Sequence, residues 1–138
     1  MIYLIGSLRN PLIPAIRHTL EQALDVEVFA SWFAAGEIAD DRWRDYERGR
    51  GLTYQDAIKD YAARHIVDFD LTHLRRCKSA VLIYPASRSG HLELGHVLGQ
   101  GKPGYVVLDQ EEPRWDVMLG LATGVYGTVQ ELIEGLKP

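Results

Sequence analysis

Apolar residues along this chain fall into two patterns: short uninterrupted runs, and stretches where an apolar position returns every three or four residues. The first is the signal of a buried strand and the second of a helix with one covered face. Runs at residues 2–5 (Ile2-Tyr3-Leu4-Ile5), 26–29, 79–84 and 105–108 hold almost no polar side chain, as strands buried on both faces of a parallel sheet do. Gly6-Ser7 ends the first. Pro11 then opens a helix with Asn10 as its cap and Ile13, Ile16, Leu20 and Leu24 along one face. Thr53 is placed to cap a long helix carrying Ala57, Ile58, Tyr61, Ala62, His65, Ile66, Phe69 and Leu74 at apolar spacing. A third helix is expected over residues 91–100, ended by Gly101, and a short one over 113–121. Val125-Tyr126 reads as a last strand, and Thr128 caps a final helix through Leu136. Residues 30–51 follow neither pattern. They hold Trp32, Trp43 and the pair Asp40-Asp41 in a long connection, which reads as a ligand wall or lid, or as a plain surface excursion.

Strands alternating with helices predict an α/β protein. The expected fold is a single domain over residues 1–138, Rossmann/flavodoxin-like, with a mainly parallel central sheet of about five strands and helices on both faces. Hydrophobic residues at 46% and charged ones at 25% are ordinary for such a domain. Charge changes the picture more. The net charge is −4, and no basic run exceeds Arg75-Arg76, so the clustered cations that nucleic-acid binding needs are missing. A small polar ligand is the expected partner. No apolar stretch approaches the ~20 residues of a membrane span, and no membrane partner is expected. The first residues lack the basic flank and cleavage site of a leader, so a cytoplasmic location is expected. The single cysteine, Cys77, allows neither an internal disulfide nor a zinc ribbon, and no His and carboxylate spacing suggests a metal site. No cofactor is expected. His65, on the apolar face, reads as structural; His91 falls near the expected ligand crevice.

In open parallel sheets, ligands bind beyond the carboxyl ends of the strands where the strand order reverses. Two loops at such ends are rich in small residues and lead into helices: Gly6-Ser7-Leu8-Arg9, and residues 85–90 with Ser87-Arg88-Ser89-Gly90. Gly6, Ser7, Arg9, Ser87, Arg88 and Gly90 are therefore candidate substrate contacts, with backbone N–H groups facing an oxygen-rich ligand. Neither loop is a Walker or dinucleotide fingerprint. Glu93 is the sharper feature. It is expected in the first turn of the third helix, where the helix dipole favours its carboxylate form by roughly 0.3–1 kcal/mol. An ionised, oriented carboxylate is what displacement at a sugar carbon requires. The plain alternative is a glutamate decorating a helix start. Trp32, Trp43, Asp40 and Asp41 are candidates for stacking on a base and reading its edge.

Taken in order, Ile2-Tyr3-Leu4-Ile5-Gly6-Ser7, Phe69-Asp70-Leu71, Ser87 with Glu93-Leu94-Gly95, Gly101-Lys102 and Asp116-Val117-Met118 resemble the nucleoside 2-deoxyribosyltransferase family, including its relatives that hydrolyse deoxynucleoside monophosphates. The resemblance implies that Glu93 is a nucleophile forming a glycosyl-enzyme intermediate. It implies that Asp70 assists protonation of the departing base and that the Tyr3 hydroxyl positions the Glu93 carboxylate. It further implies a homodimer or higher homo-oligomer with shared active sites, in which Asp116 reaches the 5′ group bound by a neighbouring subunit. Ser87, six residues before Glu93, stands where the hydrolases carry a serine, and Gly6-Ser7-Leu8-Arg9 resembles the hydrolase loop. Asp116 argues the other way, because a carboxylate repels a phosphate. Nucleoside and 5′-monophosphate substrates therefore both stay open, as do transfer and hydrolysis. A non-catalytic nucleotide-binding module is the competing reading. A flavin carrier fits less well, since its first loop should be richer in Ser and Thr around a flavin phosphate than residues 6–10 are.

Overall fold

The computed structural model describes residues 1–109 and 114–138. Five parallel strands form one sheet in the order β2-β1-β3-β4-β5: β1 (Ile2–Ile5), β2 (Val28–Phe29), β3 (Ser79–Ile83), β4 (Gly104–Val107) and β5 (Gly124–Tyr126). Tyr3 stands opposite Phe29 on β2 and Ala80 on β3, so β1 is flanked on both sides. The order reverses at β1 and β3, which opens the crevice at their carboxyl ends.

Alternation along each strand sorts side chains to two faces. Ile2, Leu4, Val81 and Ile83 join Ile13, Ile16 and Leu20 of α1 (Ile13–Leu24) and Leu132 and Ile133 of α6 (Val129–Leu136) in one cluster. Tyr3, Ile5, Ala80 and Leu82 join Leu74 of α4 (Tyr61–Arg76) and Leu94 and Val97 of α5 (Arg88–Gly99) in the other. Helices thus cover both faces, as an α/β sheet buried on each side requires.

The elements depart from expectation in five places. Residues 30–51 are not irregular: a 3-10 turn (Ser31–Ala35) leads into α2 (Ala39–Gly49). This helix is too polar to show an apolar stripe. Asp40 and Asp41 in its first turn and Arg48 in its last complement the helix dipole. Its Glu47, only 2% exposed, is held by Arg50 at 3.0 Å.

The long helix expected from Thr53 is broken into α3 (Tyr54–Ala57), capped by Thr53, and α4, capped by Asp60. Asp60 accepts from the Tyr61 N–H at 2.7 Å and pairs with Arg50 at 2.9 Å, which fixes the break. Of the expected stripe only Ala57 and Leu74 are buried; Ile58, Tyr61, Ile66 and Phe69 are exposed. His65 is also exposed and stacks on Tyr61 rather than lying in a core.

At the start of α1, Asn10 accepts from the Leu12 N–H at 3.0 Å in a turn ahead of the helix, which begins at Ile13 with Pro14 in its first turn. Finally, α5 begins at Arg88, three residues before the expected start, and residues 117–121 form a 3-10 turn (Val117–Leu121) capped by Asp116. The expectation of a helix from Pro113 falls partly outside the described residues. Among those described, no helix is long and apolar enough to cross a membrane.

Candidate active site

Tyr3 lies in the middle of β1 with its ring directed toward α4 and α5, and it is fully buried. Its hydroxyl is buried as well and finds no hydrogen-bond partner among the described residues. Asp70 projects from α4 and Glu93 from α5, both partly buried. The three groups sense one another. Burial first, then the charges of Glu93 and Asp70, push the Tyr3 phenol well above its ordinary value. Burial and the Asp70 charge raise Glu93 from 4.5 to about 8. Burial raises Asp70 too, partly offset by the neighbouring His73. Tyr3, Asp70 and Glu93, distant in sequence, therefore share one electrostatic environment over β1.

This corrects the expectation that a helix dipole keeps Glu93 ionised. Because α5 starts at Arg88, Glu93 is in the second turn, and no acidic residue occupies the first. A dipole contribution of ~1 kcal/mol or less is under one pKa unit and cannot offset burial beside a like charge. Glu93 holds its proton at neutral pH. The expected hydrogen bond from the Tyr3 phenol to Glu93 is likewise not made, since the hydroxyl is unpaired.

The loops after the neighbouring parallel strands β1 and β3 lie at the same edge of the sheet. Trp32 donates from Nε1 to the Leu4 carbonyl at 2.8 Å, which fastens the 3-10 turn to β1. A Cβ on Gly6 would lie 3.7 Å from the Trp32 ring, so the indole stands against this loop. Ser7 Oγ accepts from the Arg9 N–H at 3.1 Å, and the Arg9 guanidinium is 3.9 Å from Asp41. Asp41 is shared between Arg9 and Arg44, the latter at 3.4 Å, and Asp40 is exposed in the first turn of α2. Trp43 is not with the others: it packs edge-on against Tyr54 at 6.1 Å, joining α2 to α3.

Ser87 precedes α5 but makes no side-chain cap; its Oγ lies 2.9 Å from Ser89 Oγ. Arg88 is exposed. Gly90 is buried, and a Cβ there would come within 3.0 Å of Leu82 and 3.1 Å of Ile5, so close packing of α5 on the sheet accounts for a small residue here. Asp116 accepts from the Met118 N–H at 2.9 Å and helps raise the pKa of Tyr84, at the end of β3, in its own chain.

Sequence reasoning missed His73, Tyr84 and the bonding of His91. The His73 ring stacks on Phe29 at 3.9 Å, and its Nδ1 is 2.9 Å from the Phe69 carbonyl. The spacing Asp70-x-x-His73 on one helix could have pointed to it. His91 spans two partners, with Nε2 2.9 Å from the Tyr84 hydroxyl and Nδ1 2.8 Å from the Ser87 carbonyl. Among the described residues no group of three or more His, Cys, Asp or Glu could hold a metal ion.

No protein-family profile matches the chain, and no curated protein does. The fold is similar to the solved structure of the Clostridium botulinum CMP N-glycosidase BcmB, with a TM-score of 0.55 over 98% of this chain and 96% of that one. Sequence identity is 14%, so the likeness is one of fold.

Proposed function

We propose that the chain cleaves the N-glycosidic bond of a nucleoside or deoxynucleoside, in free or 5′-monophosphate form, through a glycosyl-enzyme intermediate on Glu93. The observation that carries this reading is the shared environment of Tyr3, Asp70 and Glu93 over β1, between the sheet and helices α4 and α5. The similarity of fold to an enzyme that splits the N-glycosidic bond of CMP supports it.

The carboxyl pair holds one proton at neutral pH, on Glu93. As substrate enters, that proton passes to Asp70, directly or over the Tyr3 hydroxyl, which lies in the field of both. The Glu93 oxygen then bonds to C1′ while the C1′–N bond breaks, and Asp70 gives its proton to the departing base. The Tyr3 hydroxyl, with its proton free to donate, steadies the carboxylate during attack. Water completes hydrolysis by attacking C1′ and passing a proton to Asp70; a second base at the same carbon completes transfer. Two carboxyl groups with unlike proton affinities suit such a division of labour.

The 5′ end is assigned to the loops carrying Ser7, Arg9, Ser87 and Arg88, with Trp32 beside them. The Ser87–Ser89 hydroxyl pair at an uncapped helix start favours a 5′-monophosphate over a plain hydroxyl. Self-association through the exposed residues around Asp116 belongs to the same reading. The test is incubation with a panel of nucleosides and 5′-monophosphates, with and without a second free base. Released base reports hydrolysis and a new nucleoside reports transfer; neither product from any substrate overturns the proposal.

A further inference from the structure

One feature beside the site takes no part in the chemistry above. Tyr84, at the end of β3 and 7% exposed, and His91, in the first turn of α5, are joined at 2.9 Å. The other nitrogen of His91 meets the carbonyl of Ser87, the residue just before the helix, at 2.8 Å. A carbonyl only accepts, so Nδ1 must carry the hydrogen. In the neutral ring Nε2 is then a bare acceptor, and the Tyr84 hydroxyl must be the donor. The Tyr84 hydroxyl has one proton to give. The hydrogen bond shows where it goes, and it leaves the Asp116 carboxylate on the Met118 N–H.

We infer that Tyr84 and His91 are positioning residues that set the Ser87–Ser89 hydroxyl pair for the 5′-phosphate of the substrate. This rests on the assignment of the 5′ end to that loop. Ser87 supplies both the carbonyl held by His91 and a hydroxyl 2.9 Å from Ser89, so the clamp acts on the residue that would meet the phosphate. Tyr84 is buried in the sheet cluster, so the chain of bonds runs from a rigid strand to an exposed loop. The exposed Ser87 side chain has no cap bond of its own to hold it.

The experiment uses the full chain and begins with the imidazole nitrogen shifts of His91, with inorganic phosphate as the probe of the loop. The wild-type protein should show the Nδ1–H tautomer, and Tyr84→Phe should lose that preference. Tyr84→Phe and His91→Gln should each weaken inorganic phosphate about five- to tenfold, the effect of one lost hydrogen bond. The ratio of kcat/KM for a 5′-monophosphate over its nucleoside should fall by the same factor. An Nε2–H tautomer in the wild type, or unchanged phosphate affinity in both variants, overturns the inference. The shifts and the phosphate titration need no turnover, so they decide it even where base release fails and the glycosidase reading falls alone.

Discussion

Glu93 on α5 keeps its proton to about pH 8 because it is drawn out of water beside Asp70 on α4. Two carboxyl groups in one partly buried space cannot both ionise cheaply, so the pair holds one proton through the neutral range. The proposed reaction turns on where that proton is, and the total is the same whether it rests on Glu93 or has moved to Asp70.

The pH profile follows from that count. Base release should fall as pH rises through about 8, where the pair loses its last proton. Asp70→Asn should slow turnover about 10²–10⁴-fold. It should also invert the slope, because Glu93 then needs only to be ionised. Initial rates from pH 6 to 9.5 in both proteins check this; parallel profiles contradict it.

Burying Glu93 also has a consequence for stability. Its folded pKa lies above the unfolded one, so the folded state binds the proton more tightly between 4.5 and about 8. The resulting contribution is fully present below the unfolded pKa and is lost as pH rises through the folded one. Glu93→Gln cannot ionise. Relative to the wild type it should gain stability from pH 5 to pH 9, by on the order of a few kcal/mol. Urea unfolding at the two pH values measures the difference, which should be constant if the carboxyl is not perturbed.

Tyr3→Phe should separate folding from function. The hydroxyl is buried without a partner among the described residues, so its removal should leave stability within about 1 kcal/mol or raise it. Base release should nonetheless fall about ten- to hundredfold, as expected for a misplaced reacting group. A loss confined to stability would make Tyr3 a core residue only.

Arg9 is available to a phosphate. Its contact with Asp41 is 3.9 Å long, and both side chains are well exposed. Such pairs are worth ~1 kcal/mol or less. Arg9→Ala should raise KM for a 5′-monophosphate about tenfold and change that for the nucleoside far less. Equal changes for both substrates would remove Arg9 from the phosphate site.

Much of the sheet was legible because β1, β3 and β4 are uninterrupted apolar runs, and a run buried on both faces has one reading. Thr128 likewise marked α6 through its cap, accepting from the Glu131 N–H at 3.1 Å. The polar α2 was hidden because charge placement and Glu47–Arg50 pairing, not an apolar stripe, hold it. The break before α4 depends on Arg50 meeting Asp60, a contact between residues that only folding brings together. Resemblance pointed to Tyr3, Asp70 and Glu93, and folding brings them into one electrostatic environment, but their proton affinities were not legible. Burial sets those, and it set Glu93 opposite to what its helix suggested. His73 and His91 were missed because their partners are backbone carbonyls and rings on neighbouring elements.

The proposed reaction requires a covalent bond between Glu93 and the sugar. A slow 2′-fluoro-2′-deoxynucleotide substrate, quenched in acid and examined by mass spectrometry, tests it directly. A mass gain of one 2-fluoro-2-deoxyribosyl 5-phosphate on the peptide containing Glu93, absent from Glu93→Gln, is the predicted result. Base release from that substrate with no adduct, continuing undiminished in Glu93→Gln, would contradict it.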